Sequence, residues 1–363
     1  MCGAIPRSGG VLLADPALRY PYAPIDLDPL RAALGRGAVV SVNLGDEESH
    51  AMILTARGTT ALPLPDLTRE QAIKKAQRFL LAARSRQRAG VLASHEIVEW
   101  LWDELAGPVL EHLGHGPNPA VPGRIWWVPS GALSLLPLHA AGYHREPGRP
   151  RTVLDRVVSS YSVTLRALAR DLGRGTAPAS GSDLLVTQGR NADRPHLRFG
   201  AAGAVALHGA DATRRAVLDA LPQASTVHFT CHGRTDTASP ANSRLALHDS
   251  PLRFADVAGL DLPHARLAYL AACETAWPGD EIEDEAIHRS SAFQLAGFPH
   301  VIGTLWEALA GPTADLAGAV YEAMDAPDPL SPAEAVHRAV LASREKYARS
   351  GPIAWAAHVH FGP

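Results

Sequence analysis

Two short, largely apolar runs separated by polar residues occur near the start of the chain. The segments "GAVVSVNL" (37–44) and "HAMILTA" (50–56) are rich in β-branched and apolar residues and flank the polar tip "GDEES" (45–49). Strand-forming runs that are separated by a short polar segment are typical of a β-hairpin. The pattern therefore predicts two antiparallel strands in this region.

A helical period follows the hairpin. In "LTREQAIKKAQRFLLAARSRQ" (67–87), Thr68 and Gln71 have the spacing of a capping box. Apolar residues then recur every three or four positions, as in an amphipathic helix: Ala72, Ile73, Ala76, Phe79, Leu80 and Ala83. A second amphipathic helix is predicted from about Ser94 to His112, with one apolar face formed by Ile97, Leu101, Leu105 and Val109. The glycines and prolines of "LGHGPNPAVPG" (113–123) end this helix and predict a domain boundary near residue 120.

From Arg124 onwards, short apolar runs alternate with helical segments. The predicted strands are "IWWV", "VVSSYSV", "DLLVT", "AVALH", "TVHFT", "RLAYLAA", "HVIGTLW" and "AWAAHVHF". The predicted helices are "DATRRAVLDAL", "AIHRSSAFQLAG", "PTADLAGAVYEAM" and "SPAEAVHRAVLASREKYA". The last helix begins with Ser331 as N-cap, Pro332 at the first helical position and Glu334 closing a capping box. Strands that alternate with helices predict an α/β fold with a mostly parallel sheet and helices on both faces.

Composition narrows the class of protein. The chain has 363 residues, 34 basic and 37 acidic side chains and a net charge of −3, so no electrostatic footprint for nucleic acid or a membrane surface is expected. No apolar run approaches the roughly 20 residues of a spanning helix, and no leader is recognised at the start. The three cysteines, Cys2, Cys231 and Cys273, cannot all pair with one another and fit a reducing compartment, so we expect a cytoplasmic protein. Abundant alanine and arginine with little lysine indicate a GC-rich bacterial genome.

Two strand ends carry candidate catalytic side chains. "STVHFTCHGRTD" ends a strand at His232, and "ARLAYLAACETAWPGD" ends another at Cys273. The segment between them is long enough for a crossover that returns the chain to a neighbouring parallel strand. Ligands of such sheets bind outside the carboxyl ends of the strands. Because Cys231 and His232 are adjacent, they should face opposite ways and cannot share one site.

An imidazole beside a thiol suits nucleophilic catalysis. The imidazole lowers the pKa of the cysteine and can protonate a departing amine, while the thiolate attacks a carbonyl carbon. Gly233 leaves its backbone open beside the histidine, and its N–H together with that of Cys273 can hold the developing oxyanion. A lone cysteine or histidine is more often structural, so the residues alone leave catalysis and a structural role equally open.

The ordered motifs resemble the CHAT-domain family, which are caspase-like cysteine peptidases related to separases and caspases. The resemblance covers about residues 120–363 and is carried by "RIWWVPSGALSLLPLHAAG", "LHGADATRRAVLDALPQASTVHFTCHG", "LAYLAACETA", "SSAFQLAGFPHVIGTLW" and "WAAHVHFGP". It implies that His232 is the general acid and base, that Cys273 is the nucleophile, and that Gly233 and Cys273 supply the oxyanion amides. It also implies that residues 1–120 form a non-catalytic partner half and residues 121–363 the peptidase domain. No metal or organic cofactor is implied.

Two features depart from the family pattern. Relatives commonly carry an aspartate a few residues after "LW", whereas this chain has Ala310 there, which weakens the expectation of a basic residue at the cleaved position. Relatives also place a helix where this chain has the short, glycine-bearing "RNADRPHLRFGAAG" (190–203), so the sheet is expected to be open there or covered by something else.

Other acidic and histidine-rich segments have functional and structural interpretations. Five carboxylates follow the nucleophile segment, namely Asp280, Glu281, Glu283, Asp284 and Glu285, and form either a rim for a basic substrate or a solvated loop. Glu307 is a further candidate for the substrate pocket. His358 and His360 lie on one strand face, as metal ligands do, but a structural role is favoured because no third ligand is near in sequence. "HEIVEW" has Glu99 where the second histidine of a zinc peptidase helix belongs.

The sequence therefore predicts a cysteine endopeptidase that hydrolyses protein or peptide substrates through a Cys–His dyad. The resemblance implies regulation by a partner protein or by self-assembly, in bacterial signalling or defence. The alternative is a caspase-like interaction module with little catalysis, motivated by the two departures. Thiol-dependent acyl transfer would use the same dyad and also stays open.

Overall fold

The protein is organised around one large sheet. The computed structural model describes residues 25–85, 87–173, 181–188, 204–234, 243–271 and 288–363. Its strands are β1 (Ala38–Asn43), β2 (Ser49–Thr55), β3 (Gly58–Leu64), β4 (Gly123–Val128), β5 (Val157–Tyr161), β6 (Ser182–Thr187), β7 (Val205–His208), β8 (Ala224–Thr230), β9 (Gly233–Arg234), β10 (Arg244–Leu245), β11 (Leu252–Arg253), β12 (Leu267–Leu270), β13 (His300–Thr304) and β14 (His358–Phe361). Each of the eight apolar runs predicted as strands after Arg124 overlaps one of them.

The large sheet has eleven strands in the order β3-β2-β1-β4-β5-β14-β13-β12-β8-β6-β7. Strands β1, β4, β5 and β14 are parallel to one another, and so are β13, β12, β8, β6 and β7. The two parallel blocks meet where β13 and β14 pair antiparallel, with Thr304 opposite His358. The amino ends of β4, β5 and β14 therefore lie at the same sheet edge as the carboxyl ends of β13, β12 and β8. We call this the upper edge.

Helices cover both faces of the sheet. They are α1 (Asp28–Leu34), α2 (Arg69–Arg84), α3 (Arg88–Leu101), α4 (Gly107–His112), α5 (Leu165–Gly173), α6 (Arg214–Ala220), α7 (Phe254–Ala258), α8 (His288–Ala296), α9 (Ala310–Met324), α10 (Pro332–Lys346) and α11 (Pro352–Trp355). Because side chains alternate along a strand, consecutive residues of β8 contact helices on opposite faces of the sheet. Phe229 packs its ring 5.7 Å from that of Phe293 in α8, whereas His228 lies 3.0 Å from the hydroxyl of Tyr321 in α9. In the described ranges, no helix combines the length and the apolarity that crossing a membrane requires.

The hairpin and the start of the first predicted helix are confirmed. β1 and β2 pair antiparallel around the polar tip, from Ala38 opposite Thr55 to Asn43 opposite His50. Thr68 and Gln71 form a reciprocal capping box at the start of α2. β1 also pairs in parallel with β4, so the sheet continues across the predicted division between residues 120 and 121. That division stays a prediction.

The second predicted helix is longer and less regular than expected. It begins at Arg88 rather than near Ser94, and a π-helical segment, Trp102–Ala106, joins α3 to α4. The apolar residues of this helix recur every four positions, whereas an α-helix has 3.6 residues per turn. In an unbroken α-helix, each apolar side chain would therefore point about 40° away from the one before it. The wider π turn accommodates this spacing, and all four apolar residues are fully buried.

The edge strand β7 has exposed side chains, including Val205 at 41%. It pairs with β6 in parallel, which places it at one end of the sheet. The segment "RNADRPHLRFGAAG", for which the sequence predicted no covering helix, lies outside the described residues.

The short strands β9, β10 and β11 form a separate antiparallel sheet that follows His232 along the chain.

Candidate active site

The upper edge brings together the candidate site residues that the structure describes. His232 lies just beyond the end of β8, and Glu307 lies just beyond the end of β13. β12 lies between these two strands and pairs in parallel with both. Since neighbouring strands lie about 4.8 Å apart, the two strand ends are roughly 10 Å apart. His232 and Glu307 therefore share one edge.

The backbone around His232 is held by β10 and the residue that follows it. The His232 carbonyl accepts a hydrogen bond from the Ala246 N–H at 2.7 Å, and Gly233 pairs with Leu245 in the small sheet. The His232 residue is exposed, while Gly233 is buried. The imidazole thus lies at the surface on a backbone that neighbouring strands fix.

Cys231 and His232 differ in burial, as the alternation along a strand predicted. Cys231 is only 6% exposed and packs in the hydrophobic core, and it forms no disulfide. A buried thiol among apolar side chains behaves as a small hydrophobic group. Cys231 is therefore a poor candidate for a nucleophile.

The predicted nucleophile follows β12. The Ala271 N–H donates to the Phe229 carbonyl at 3.0 Å, so the contact between the β12 and β8 segments extends beyond Leu270. Cys273, Asp280 and Glu281 lie outside the described residues. Their roles, and the oxyanion role of Gly233, stay predictions.

A buried tryptophan anchors the loop that carries Glu307. Trp306 is 1% exposed, donates its Nε1–H to the Ile353 carbonyl at 3.0 Å and packs edge-on against Phe79 at 4.9 Å. Glu307 itself is exposed. Ala310, which stands where relatives are expected to carry an aspartate, is the first residue of α9 and is also exposed. Among the described loop residues, Glu307 is thus the acidic group beside this strand end.

A layer of polar aromatic groups lies beneath the upper edge. His228 and Tyr269 are opposite each other on β8 and β12, four residues before His232 and Cys273 respectively, and their rings stack at 4.6 Å. The Nδ1 atom of His228 is 3.0 Å from the Tyr321 hydroxyl. Burial lowers the pKa of His228 to about 3, so its ring is neutral at physiological pH. The sequence analysis did not predict this layer. The signal that could have indicated it is a histidine within the strand "TVHFT" and a tyrosine within the strand "LAYLAA".

The histidines of β14 are structural in their contacts. His358 and His360 are 2% and 1% exposed. The Nε2 atom of His360 lies 3.0 Å from Nδ1 of His300, and its Nδ1 is hydrogen-bonded to Ser160. Burial lowers the pKa of His358 to about 4 and holds that of His360 well below its usual value. Within the described part of the chain, no group of three or more histidine, cysteine, aspartate or glutamate residues is arranged to hold a metal ion.

Comparison with known proteins identifies the family. A family model described as the CHAT domain matches residues 95–363, well over half of the sequence, so the chain belongs to the CHAT domain family. Comparison with curated protein sequences gives no significant match.

Solved structures show the same fold. The crystal structure of the Saccharomyces cerevisiae separase–securin complex is similar with a TM-score of 0.62 and 12% identity over 92% of this chain, and a second crystal structure of that complex gives 0.61 and 11%. The chain spans only 30% of the length of the separase chain. The Arg-specific cysteine proteinase gingipain R is a weaker match, with a TM-score of 0.46 and 13% identity over 81% of this chain and 73% of that one. The similarity to the separase fold confirms the predicted α/β fold, a mostly parallel sheet flanked by helices.

Proposed function

We propose that this protein is a cysteine endopeptidase in which His232 and Cys273 form the catalytic dyad. The observation that carries the proposal is the parallel pairing of β8 with β12, whose carboxyl ends lead into these two residues. Ala271 is hydrogen-bonded to Phe229, and Cys273 follows it by two residues, which span at most about 7 Å of chain. This short connection supports the proposed pairing of the Cys273 thiol with His232.

The proposed reaction uses both residues in sequence. The Cys273 thiolate attacks the scissile carbonyl carbon, and the Gly233 and Cys273 amides hold the oxyanion. Protonated His232 gives its proton to the departing amine as the C–N bond breaks, which leaves a thioester. His232 then takes a proton from water, the hydroxide adds to the thioester carbonyl, and the thiolate leaves with release of the carboxylic acid.

The acidic residues near the dyad are proposed to select the side chain that precedes the cut. Glu307 is exposed at the end of β13, about two strand spacings from His232. Asp280 and Glu281 follow Cys273 by seven and eight residues. Carboxylates that contact the substrate would favour lysine or arginine at the cleaved position by charge complementarity.

Regulation and context are part of the same proposal. We infer that residues 1–120 act as a non-catalytic half that extends the sheet through β1 and β4, and that residues 121–363 carry the catalysis. Separase has been crystallised with securin, and by analogy a partner protein or self-assembly controls this chain in bacterial signalling or defence. The cysteine content favours the cytoplasm as its compartment.

A peptide library read by mass spectrometry tests the proposal. The wild-type chain should cut at defined side chains, and Cys273→Ala and His232→Ala should each lower the rate by at least about a hundredfold. Cys231→Ala is the matched control, because it removes the neighbouring thiol that is buried in the core, and it should keep most of the activity.

Thiol reactivity separates an inactive scaffold from an enzyme that lacks its activator. Cys273 should react with iodoacetamide near neutral pH much faster than Cys2 or Cys231, and His232→Ala should slow that reaction. Equal slow alkylation of all three cysteines, together with no cleavage, would contradict the peptidase and leave a binding module. Products that join peptides instead of hydrolysing them would point to acyl transfer.

A further inference from the structure

A segment downstream of His232 holds the main chain of this histidine in place. The Ala246 N–H donates to the His232 carbonyl at 2.7 Å, and Leu245 in β10 lies opposite Gly233 in β9. The chain then turns back through β11 and enters α7. We call residues 243–256 the clamp segment. Because His232 is exposed, its position depends on main-chain contacts such as these.

The far end of the clamp segment carries a carboxylate that joins two arginines. Asp256, in the first turn of α7, accepts hydrogen bonds from Nη2 of Arg253 at 3.1 Å and from Nε of Arg214 at 3.2 Å. It also accepts the Arg253 N–H at 3.1 Å. Arg253 ends β11, whereas Arg214 is the first residue of α6. Asp256 therefore ties the clamp segment to α6.

The carboxylate of Asp256 is partly shielded and stays charged. Its side chain is 13% exposed, and hydrogen bonds to a charged group are stronger than those between neutral groups. Burial alone would raise the pKa of this carboxyl, but the hydrogen bonds from Arg253 and Arg214 lower it below its usual value. Both arginine contacts are therefore ion pairs at neutral pH.

The start of α6 also holds the middle of the clamp segment. The Arg214 N–H donates to Oδ1 of Asp249 at 2.8 Å, and the His248 N–H donates to the Ala212 carbonyl at 2.9 Å. Arg214 thus contacts the clamp segment through its main chain as well as through its side chain. Ala246 lies only two residues before His248, so this attachment is close to the contact that holds the catalytic histidine.

We propose that Asp256 is a positioning residue for His232. It fixes the clamp segment between Arg253 and Arg214, and the clamp segment in turn fixes the His232 main chain at the end of β8. Catalytic geometry tolerates little error, since misplacing a reacting group by about 1 Å can lower the rate about a hundredfold. The inference rests on the proposed function, because it gives Asp256 a role in placing the histidine of the dyad.

Hydrogen exchange tests the clamp without requiring catalysis. In the Cys273→Ala chain, exchange at the Ala246 and His248 amides is followed by mass spectrometry of a peptide that contains both. Asp256→Ala removes both arginine contacts, so these amides should exchange roughly tenfold faster. Asp256→Asn keeps an acceptor oxygen but loses the charge, and it should give a smaller increase.

Alkylation and kinetics test the effect on the dyad. In the chain that keeps Cys273, Asp256→Ala should slow the reaction with iodoacetamide near neutral pH and shift its pH profile towards that of His232→Ala. With a peptide that the protein cuts, kcat should fall at least about tenfold while KM stays within about twofold. This split is expected because Asp256 helps to place a reacting group and does not bind substrate.

Two further variants serve as controls. Arg214→Ala removes one of the same contacts from the other side, so adding it to Asp256→Ala should change exchange and alkylation no further. Asp219→Ala removes the partner of Arg215 from an exposed ion pair of 3.6 Å within α6, and it should alter neither measurement. Circular dichroism shows whether each variant is folded, and Asp256→Asn carries the test if Asp256→Ala does not fold.

Three outcomes decide the matter. Faster exchange together with slower alkylation and a lower kcat supports the proposal. Exchange that is equal in the parent and the Asp256 variants, or an alkylation rate that depends on His232 but not on Asp256, overturns it. If Asp256→Ala speeds exchange but His232→Ala leaves the alkylation of Cys273 unaltered, Asp256 still holds the His232 main chain, and the dyad of the proposed function is contradicted.

Discussion

Neutral histidines buried in the folded protein should make its stability depend steeply on pH. Six histidines are no more than 9% exposed: His95, His139, His144, His228, His358 and His360. Burial lowers the pKa to about 3 for His139 and His228, to about 4 for His95, His144 and His358, and well below the usual value for His360. All six rings are therefore uncharged in the folded protein at pH values above 5.

The size of the effect follows from proton linkage. In the unfolded chain a histidine has a pKa of roughly 6.5, so below this pH the unfolded chain binds protons that the folded protein does not. The free energy of unfolding therefore falls as the pH falls from 6.5 towards the folded-state pKa values. At pH 5.5 each histidine contributes a loss of about 1.4 kcal/mol, and six contribute about 8 kcal/mol. The figure requires only that each folded-state pKa stays well below 5.5, and it rivals the total stability of about 5–15 kcal/mol of a typical domain.

Urea denaturation of the Cys273→Ala chain at pH 7.5, 6.5 and 5.5, followed by circular dichroism, measures this loss. We expect a drop of several kcal/mol, with most of it between pH 6.5 and 5.5. His358→Phe removes one buried histidine and should reduce the drop by about 1.4 kcal/mol. His248→Phe changes an exposed histidine and should leave the drop unaltered. A total drop below about 2 kcal/mol, or the same drop in both variants, would refute the reasoning.

Further predictions concern single contacts. Arg344 donates hydrogen bonds of 2.6 and 2.9 Å to the Asp155 carboxylate. Arg344→Ala leaves this largely buried carboxylate without its ion-pair partner and should lower the free energy of unfolding, measured by urea denaturation, by about 3 kcal/mol. A loss of less than about 1 kcal/mol would show that the ion pair is unimportant. Gly107→Ala would put a Cβ 2.8 Å from the Trp102 carbonyl oxygen and should destabilise the protein by about 1–3 kcal/mol. Gly318→Ala lies in α9 with open space around the new Cβ and should stabilise the protein by about 1 kcal/mol. A melting temperature that is higher for Gly107→Ala than for Gly318→Ala would contradict both predictions.

Local structure was the part of the fold that the sequence predicted best. The hairpin of β1 and β2 and the capping box of Thr68 and Gln71 depend on residues close together in the chain, and both are confirmed. Ser331, Pro332 and Glu334 likewise start α10 as predicted. The family motifs also indicated the fold, because their order along the chain records the alternation of strands and helices.

The candidate site was predictable only in part. The sequence indicated that His232 ends a strand, and the structure adds that β12 is the paired neighbour of that strand. It did not indicate that His228 and Tyr269 stack beneath this edge, because two residues of different strands meet only when the register is known.

By itself, then, the sequence determined the hairpin, the eight apolar runs that contribute strands after Arg124, the caps of two helices and the α/β class. Tertiary structure decided that two parallel blocks meet at the antiparallel pair β13 and β14, which brings the amino end of β5 to the same edge as the carboxyl end of β8. The physical reason is that hydrophobic periodicity records which face of an element is buried. It does not record which neighbour covers that face, because many partners bury the same apolar area and only the packed whole selects one.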